Sequence, residues 1–259
     1  AKPLINIVQI TDSHLGAGVG DKLLGMNTDE SLDAVLRCAR EEQSVIDIVL
    51  STGDISMHGD QPSYRRYREK VSPLASKHAY LPGNHDKVDL MQAELAEQGG
   101  WQTGRVDLGK WQLIMLSSLV EGRVGGFLAD SELELLSNSL KNHPEQHTLV
   151  CVHHHTLPVN CEWLDQQRIS NHDKLLGILS QYPSVHGLLC GHVHQDTEVD
   201  YQGIKVMSTP STCVQFAENS DDFGADGDVN PGYRWLTLHD DGRIETAVSR
   251  VKHQRFALD

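Results

Sequence analysis

The stretch INIVQITDSH (Ile5–His14) decides how the rest of the chain is read. Ile5–Thr11 is apolar and β-branched, the character of a strand. Two chemistry-bearing residues, Asp12 and His14, follow at once. A strand that ends on polar groups raises a fold-level expectation, because open α/β sheets bind ligands just outside the carboxyl ends of their strands.

The same pattern recurs four more times. IDIVLST (Ile46–Thr52) runs into Gly53-Asp54, and AYLPG (Ala79–Gly83) into Asn84-His85-Asp86. TLVCV (Thr148–Val152) runs into His153-His154-His155, and GLLCG (Gly187–Gly191) into His192 and His194. Helix-period segments separate these strands. ESLDAVLRCAREE places Leu32, Val35, Leu36 and Ala39 on one face, with Thr28 as the expected N-cap. PSYRRYREKVSPLA has Pro62 in its first turn and sets Tyr64, Tyr67, Val71 and Leu74 on one side. Val88–Gln98, Asp130–Asn142 and Asn171–Tyr182 read as further helices, the second with Ser131 and Glu134 at capping-box spacing. Two hairpins are expected, one turning near Leu108-Gly109-Lys110 and one at Asp241-Gly242.

This alternation predicts an α/β fold of one domain, residues 1–259, in which two packed mixed β-sheets are flanked by helices. The polar, Gly-rich segment 217–232 is expected to be a mobile surface loop or lid.

Composition narrows the function. The net charge is −14, and the most basic cluster is YRRYREK (Tyr64–Lys70). Duplex binding draws most of its affinity from cationic patches, so a small substrate is expected rather than nucleic acid. The apolar runs are strand-sized, well short of the ~20 residues of a membrane span, and AKPLINIVQI has no signal-peptide layout. Five cysteines, odd in number and without a Cys-x-x-Cys pair, point to reduced thiols in the cytoplasm. A homodimer stays open.

The strand-end residues are a mixed oxygen and nitrogen donor set, which suits Mn²⁺, Fe²⁺ or Zn²⁺ better than an all-oxygen calcium site. The donors are too many for one tetrahedral ion. Two divalent ions sharing a carboxylate would use them all. Asp12 and His14 are spaced to face one side of an extended backbone, as are His192 and His194 and, in the histidine run, His153 and His155.

The order Asp-x-His, Gly-Asp, Gly-Asn-His-Asp, His, Gly-His-x-His resembles the calcineurin-like metallophosphoesterases. The motifs span Asp12 to His194. LLGMNT (Leu23–Thr28), CEWLDQ (Cys161–Gln166), LLCGHVHQ (Leu188–Gln195), STPSTCVQF (Ser208–Phe216) and PGYRWLTL (Pro231–Leu238) extend the similarity, over nearly the whole chain, to the class III cyclic nucleotide phosphodiesterases. The resemblance implies a four-layer α/β/β/α sandwich. It implies Asp12, His14, Asp54 and His194 around one ion, and Asp54 (bridging), Asn84, His153 and His192 around a second. The ions would be Fe²⁺ or Mn²⁺, with Zn²⁺ as an option.

His85 and Asp54 would serve catalysis, and His14, Asn84, His85 and His194 would face the substrate. His155 would support a ligand or face substrate, and His154 would be structural. Many members of the superfamily carry Gly-Asp-x-x-Asp, whose second Asp supports the catalytic histidine; here GDISM puts Met57 there, leaving Asp60 and Asp86 as weak substitutes. The implied reaction is hydrolysis of 3′,5′-cyclic AMP to 5′-AMP, with base and ribose against Thr209–Phe216. Other phosphodiesters, including 2′,3′-cyclic nucleotides and glycerophosphodiesters, are the alternative substrates, and a catalytically dead scaffold is the alternative class.

Overall fold

A computed structural model describes residues 4–259; Ala1–Pro3, part of the opening run read for a leader, lie outside the described residues. The first sheet is built from β1 (Leu4–Ile10), β4 (Ile48–Ser51) and β5 (Lys77–Tyr80) running parallel, extended by the hairpin β12 (Gly232–His239) and β13 (Ile244–Arg250). Its order is β13-β12-β1-β4-β5. The second sheet contains β6 (Gly104–Asp107), β7 (Trp111–Met115), β8 (His147–Cys151), β9 (Val185–Cys190), β10 (Thr197–Tyr201) and β11 (Ile204–Ser208), in the order β10-β11-β9-β8-β7-β6. A two-stranded ribbon, β2 (Lys22–Leu23) with β3 (Met26–Asn27), leads into the first long helix.

Side-chain alternation along the strands builds the layers. Ile7 of β1 joins Ile48, Leu50, Leu113, Leu149, Cys151 and Leu236 in a core between the sheets. Its neighbours Val8 and Ile10 point the other way, onto α1 (Thr28–Glu42) and α2 (Gln61–Val71), where Leu32, Val35, Tyr64 and Tyr67 meet them. Val150 and Val152 face away from the inter-sheet core, onto α4 (Asp130–Asn142) and α6 (His172–Leu179). Strands covered on both faces need apolar side chains on both, which is why they read as continuous apolar runs. The fold is the α/β/β/α sandwich expected from the sequence.

Local differences have local causes. Asn27, not Thr28, caps α1: its side chain accepts from the Glu30 N–H at 3.0 Å, and Thr28 is already helical. Ser131 lies inside α4, whose cap position is Ala129 with no side-chain bond, so the Ser131/Glu134 box does not form. The helix expected over Val88–Gln98 is α-helical only as α3 (Val88–Gln92) and continues as a π turn, Ala93–Glu97. The strand expected at Ala79–Gly83 stops at Tyr80, and β10 and the β2–β3 ribbon carry no clear sequence signal. A short helix, α5 (Glu162–Asp165), precedes α6. Segment 217–232 folds back on itself, with Ala217 N–H on Gly224 O at 2.7 Å and Asp226 N–H on Gln215 O at 2.9 Å. Among the described residues no helix is long and apolar enough to cross a membrane.

A polar clasp crosses the apolar space between the sheets, where burying polar groups is tolerated only if they are bonded. Gln9 of β1 donates to Thr52 Oγ1 at 3.0 Å and to Cys190 O, at the end of β9, at 3.2 Å. The Thr209 hydroxyl donates to the Gln9 side-chain amide oxygen. Arg234 of β12, 1 % exposed, donates to Thr209 Oγ1 at 3.1 Å, Ser208 O at 2.8 Å and Asp196 at 3.0 Å. Arg234→Met keeps the length of the side chain but leaves these acceptors unpaired. It is expected to lower stability by about 3 kcal/mol, since bonds to a charged group contribute roughly 1.5–3 kcal/mol, as read from urea unfolding.

Candidate metal centre

The carboxyl ends of five strands meet at one end of the sandwich. β1 delivers Asp12 and His14, β4 delivers Asp54, and β5 delivers Asn84 and His85. β8 from the second sheet delivers His153, and β9 delivers His192 and His194. Backbone geometry marks the same residues. Asp12 (φ 56°), His14 (45°), Asp54 (47°), His192 (69°) and His194 (51°) all sit in the left-handed region, which costs a non-glycine residue about 1–2 kcal/mol. Half of the described non-glycine residues with positive φ are therefore in this cluster, where strain is characteristic of a functional site.

The side chains converge. Asp12 Oδ1 lies 3.2 Å from His194 Nε2 and 3.7 Å from His14 Nε2. Asp54 Oδ2 lies 3.3 Å from His153 Nε2 and 3.7 Å from His14 Nε2. Three overlapping donor groups result: Asp12, His14 and His194; Asp54, His153 and His192; and His14, Asp54 and His85. Asp54 joins the second and third, and His14 the first and third.

These residues fit a divalent ion on their own chemistry. Asp12 Oδ1, Asn84 Oδ1 and His153 Nε2 are buried and find no hydrogen-bond partner among the described residues. An unpaired buried polar atom costs about 1–3 kcal/mol, and a cation would satisfy all three. The opposite ring nitrogens are committed outward to groups that only accept. His153 Nδ1–H donates to Thr52 O at 2.7 Å, His194 Nδ1–H to Val214 O at 2.7 Å, and His192 Nε2–H to the Gln167 side-chain oxygen at 2.8 Å. Such bonds set the tautomer and aim the remaining lone pair inward. The sequence reading missed these supports, since carbonyls and a helix-following glutamine carry no motif.

Without an ion, charge is balanced within the cluster. Burial would raise the Asp54 and Asp12 carboxyls, but the imidazoles around them, His153 foremost, hold both well below the usual range. Burial would likewise lower His153, yet Asp54 and Asp12 push it up to about 10. His192 and His14 stay low, chiefly through burial, and so are kept in the neutral form that ligates metals. A divalent ion and the His153 proton compete for one pair of carboxylates.

The three consecutive histidines divide. His153 alone turns a free nitrogen to the carboxylates. His154 spends both nitrogens elsewhere, with Nε2–H on Val124 O at 2.8 Å and Nδ1 at 2.7 Å from the Ser118 hydroxyl. Burial and the charge on His153 push it down to about 3. His155 donates from Nε2 to Asp165 at 3.0 Å and stacks on the His192 ring, with centroids 5.9 Å apart. It braces a candidate ligand from behind.

His85 Nδ1–H donates to the Met57 carbonyl at 3.0 Å. The backbone of Met57 thus supplies the acceptor that the missing aspartate would have provided. Neither proposed substitute does so: Asp60 caps α2 through Ser63 N–H, and Asp86 accepts from the Gly83, Ile55 and Ser56 N–H groups and the Tyr64 hydroxyl. Of Thr209–Phe216, expected near base and ribose, Thr209–Gln215 is buried, while Phe216 is half-buried and stacks on the His194 ring with centroids 4.0 Å apart. Ser211 donates to Asp12 O at 2.7 Å, so this stretch supports the end of β1 from beneath.

Comparison with known proteins agrees with this geometry. Residues 5–196 match the family model described as calcineurin-like phosphoesterase. The chain is 42% identical to the 3′,5′-cyclic adenosine monophosphate phosphodiesterase CpdA of Pseudomonas aeruginosa, covering 98% of this chain and 92% of that one. It is 40% identical to the protein of the same name from Escherichia coli K12, over 98% and 93%. Among solved structures it is similar to a dimetal phosphatase from Danio rerio (TM-score 0.62, 14% identity, 96% of this chain and 99% of that chain). It is also similar to the purple acid phosphatase PPD1 of yellow lupin (TM-score 0.68, 14% identity, 100% and 53%). These two similarities concern the fold alone.

Two substitutions separate the histidine roles. His153→Ala is expected to remove about one bound ion per chain in metal analysis, because it deletes an unpaired nitrogen that only a ligand satisfies. His154→Ala is expected to keep the ions and lower the melting temperature instead. Gly191→Ala is expected to lose metal as well: its Cβ would fall 2.6 Å from Asp12 Oδ2 and against Thr11 Oγ1.

Proposed function

The chain belongs to the calcineurin-like phosphoesterase family, and from that premise we propose that it hydrolyses 3′,5′-cyclic AMP to 5′-AMP with two divalent ions. The observation that carries the reading is similarity over 98% of the chain to phosphodiesterases of that name. The filled donor set agrees: a scaffold that had lost its chemistry would have no use for buried, unpaired Asp12, Asn84 and His153 atoms.

In this reading Asp12, His14, Asp54 and His194 hold one ion, and Asp54, Asn84, His153 and His192 hold the other. When bound, the ions supply Lewis-acid activation of the attacking water and of the phosphate. The donors are oxygen and nitrogen without sulfur, which suits Fe²⁺ or Mn²⁺, with Zn²⁺ as the third choice. Asp54 links the two donor sets while its other oxygen accepts the His85 backbone N–H at 2.8 Å. That bond ties the carboxylate to the loop carrying the catalytic imidazole.

His85 commits Nδ1–H to Met57 and presents Nε2 to the phosphate side. Donation from Nε2 to a phosphate oxygen, or to the leaving 3′-oxygen, therefore requires the imidazolium form. The Met57 carbonyl fixes the ring without adding a charge, and charge stabilisation on the phosphate is the role proposed for it. All five cysteines are free, which fits a cytoplasmic setting.

The test is a substrate panel run with Mn²⁺, Fe²⁺ and Zn²⁺ in turn. The expected result is the highest kcat/KM for 3′,5′-cyclic AMP. A higher value for 2′,3′-cyclic nucleotides or glycerophosphodiesters would replace this reading with the broader phosphodiesterase. Chelation should abolish turnover, and added ion should restore it. His85→Gln is expected to lower kcat by roughly 100-fold, in the range for loss of a transition-state donor, with metal content unchanged.

A further inference from the structure

If phosphorus is held at the strand ends, the nucleoside must leave the centre through an adjoining opening. Among the described residues, His14 lines one cavity, and Asn84 and His85 line another. One, of about 280 Å³, is bounded by His14, Asp21, Lys22, Leu23, Met57 and His58, and its walls are mainly polar. The other, of about 730 Å³, opens from Asn84 and His85 between the start of α3 and the loop at 117–122. Only the second lies in the 300–1,000 Å³ range usual for small-molecule sites.

The wider cleft also has the chemistry a purine needs. Val88 and Leu90 on α3 are 46 % and 41 % exposed, although both are large and aliphatic. Leu119 lines the same cleft from the opposite loop and is half-buried. Aliphatic side chains on two walls offer a slot to a flat ring, and covering them removes apolar surface from water. Lys87, Asp89 and Glu121 place polar groups around the opening, where ribose hydroxyls and base edges can remain hydrated.

We infer that the base and ribose of the cyclic nucleotide occupy this cleft, with Leu90 and Leu119 as residues that determine nucleoside specificity. The inference rests on the cyclic-nucleotide reading above and deepens it. It assigns α3 a purpose that its sequence does not announce. A helix of one turn that passes into a π turn, a feature frequent near functional sites, carries Val88 and Leu90, which line the same cleft as His85.

The experiment compares 3′,5′-cyclic AMP with methyl 4-nitrophenyl phosphate, a diester without a nucleoside, in the Mn²⁺-loaded enzyme. The variants are Leu90→Asp, Leu119→Asp and, in the smaller cavity, Leu23→Asp. Leu90→Asp and Leu119→Asp are expected to raise KM for cyclic AMP about tenfold with little change in kcat, the signature of lost uniform binding. The ratio of kcat/KM values, cyclic AMP over methyl 4-nitrophenyl phosphate, should fall about tenfold, the scale of one misplaced group in an apolar pocket. Leu23→Asp should leave that ratio unchanged. An unchanged ratio in both cleft variants, or a fall confined to Leu23→Asp, overturns the inference while the cyclic-nucleotide reading stands. A wild-type enzyme that cleaves methyl 4-nitrophenyl phosphate but not cyclic AMP overturns that reading, and the inference with it.

Discussion

Two carboxylates, Asp12 and Asp54, are held almost without solvent among imidazoles, and the rest of the molecule is arranged around that electrostatic demand. Both are buried, 0 % and 2 % exposed. Each raises the difficulty of ionising the other, and burial adds to it. A protonated His153 can balance part of the charge, and a divalent cation balances more. Five left-handed backbone positions persist there, with four buried atoms that have no partner among the described residues, Asp12 Oδ1, His14 Nδ1, Asn84 Oδ1 and His153 Nε2. Features that costly survive only where surrounding structure enforces them and a ligand repays them.

The enforcement comes from the two sheets being locked in register at the end that carries the centre. Asp12 and Asp54 come from one sheet, His153, His192 and His194 from the other. A small slide between sheets would separate the donors. The inter-sheet core is apolar and non-directional, so it holds the layers together without specifying their offset. Gln9, Thr209 and Arg234 supply the direction: their bonds run from β1 and β12 to the ends of β9 and β11. Ser211, just beyond, reaches the backbone of Asp12 itself.

His85 shows how a fold can fill a gap left by a substituted residue. With methionine in the fifth place of Gly-Asp-Ile-Ser-Met, the side chain cannot orient the imidazole, but the main chain at that position still can. The trade changes the chemistry. An acceptor without charge fixes the ring's orientation as a carboxylate does, but brings no second negative charge beside it. The neighbouring acids are committed elsewhere: Asp60 to a helix cap and Asp86 to three backbone N–H groups and a phenol.

How much was legible follows from how local each feature is. Strand alternation, the face of α1 and the polar residues at five strand ends depend on neighbours in the chain, and they were readable from it. The sequence favours His153 over His154 by its place at the end of an apolar run, and in the structure it is the His153 ring that faces Asp54. Other features depend on contacts across tens or hundreds of positions. Asn27 displaced Thr28 as a cap because the β2–β3 ribbon sets where the helix begins. Gln167 behind His192, Met57 O behind His85 and the burial of Thr209–Val214 carry no spacing or composition signal. By itself, the sequence determined which chemical groups the protein would gather and on which strands. Only the tertiary structure decided which nitrogen of each ring faces inward and where the cleft opens. Those are fixed by hydrogen-bond partners and packing that the chain brings together only when both sheets have closed.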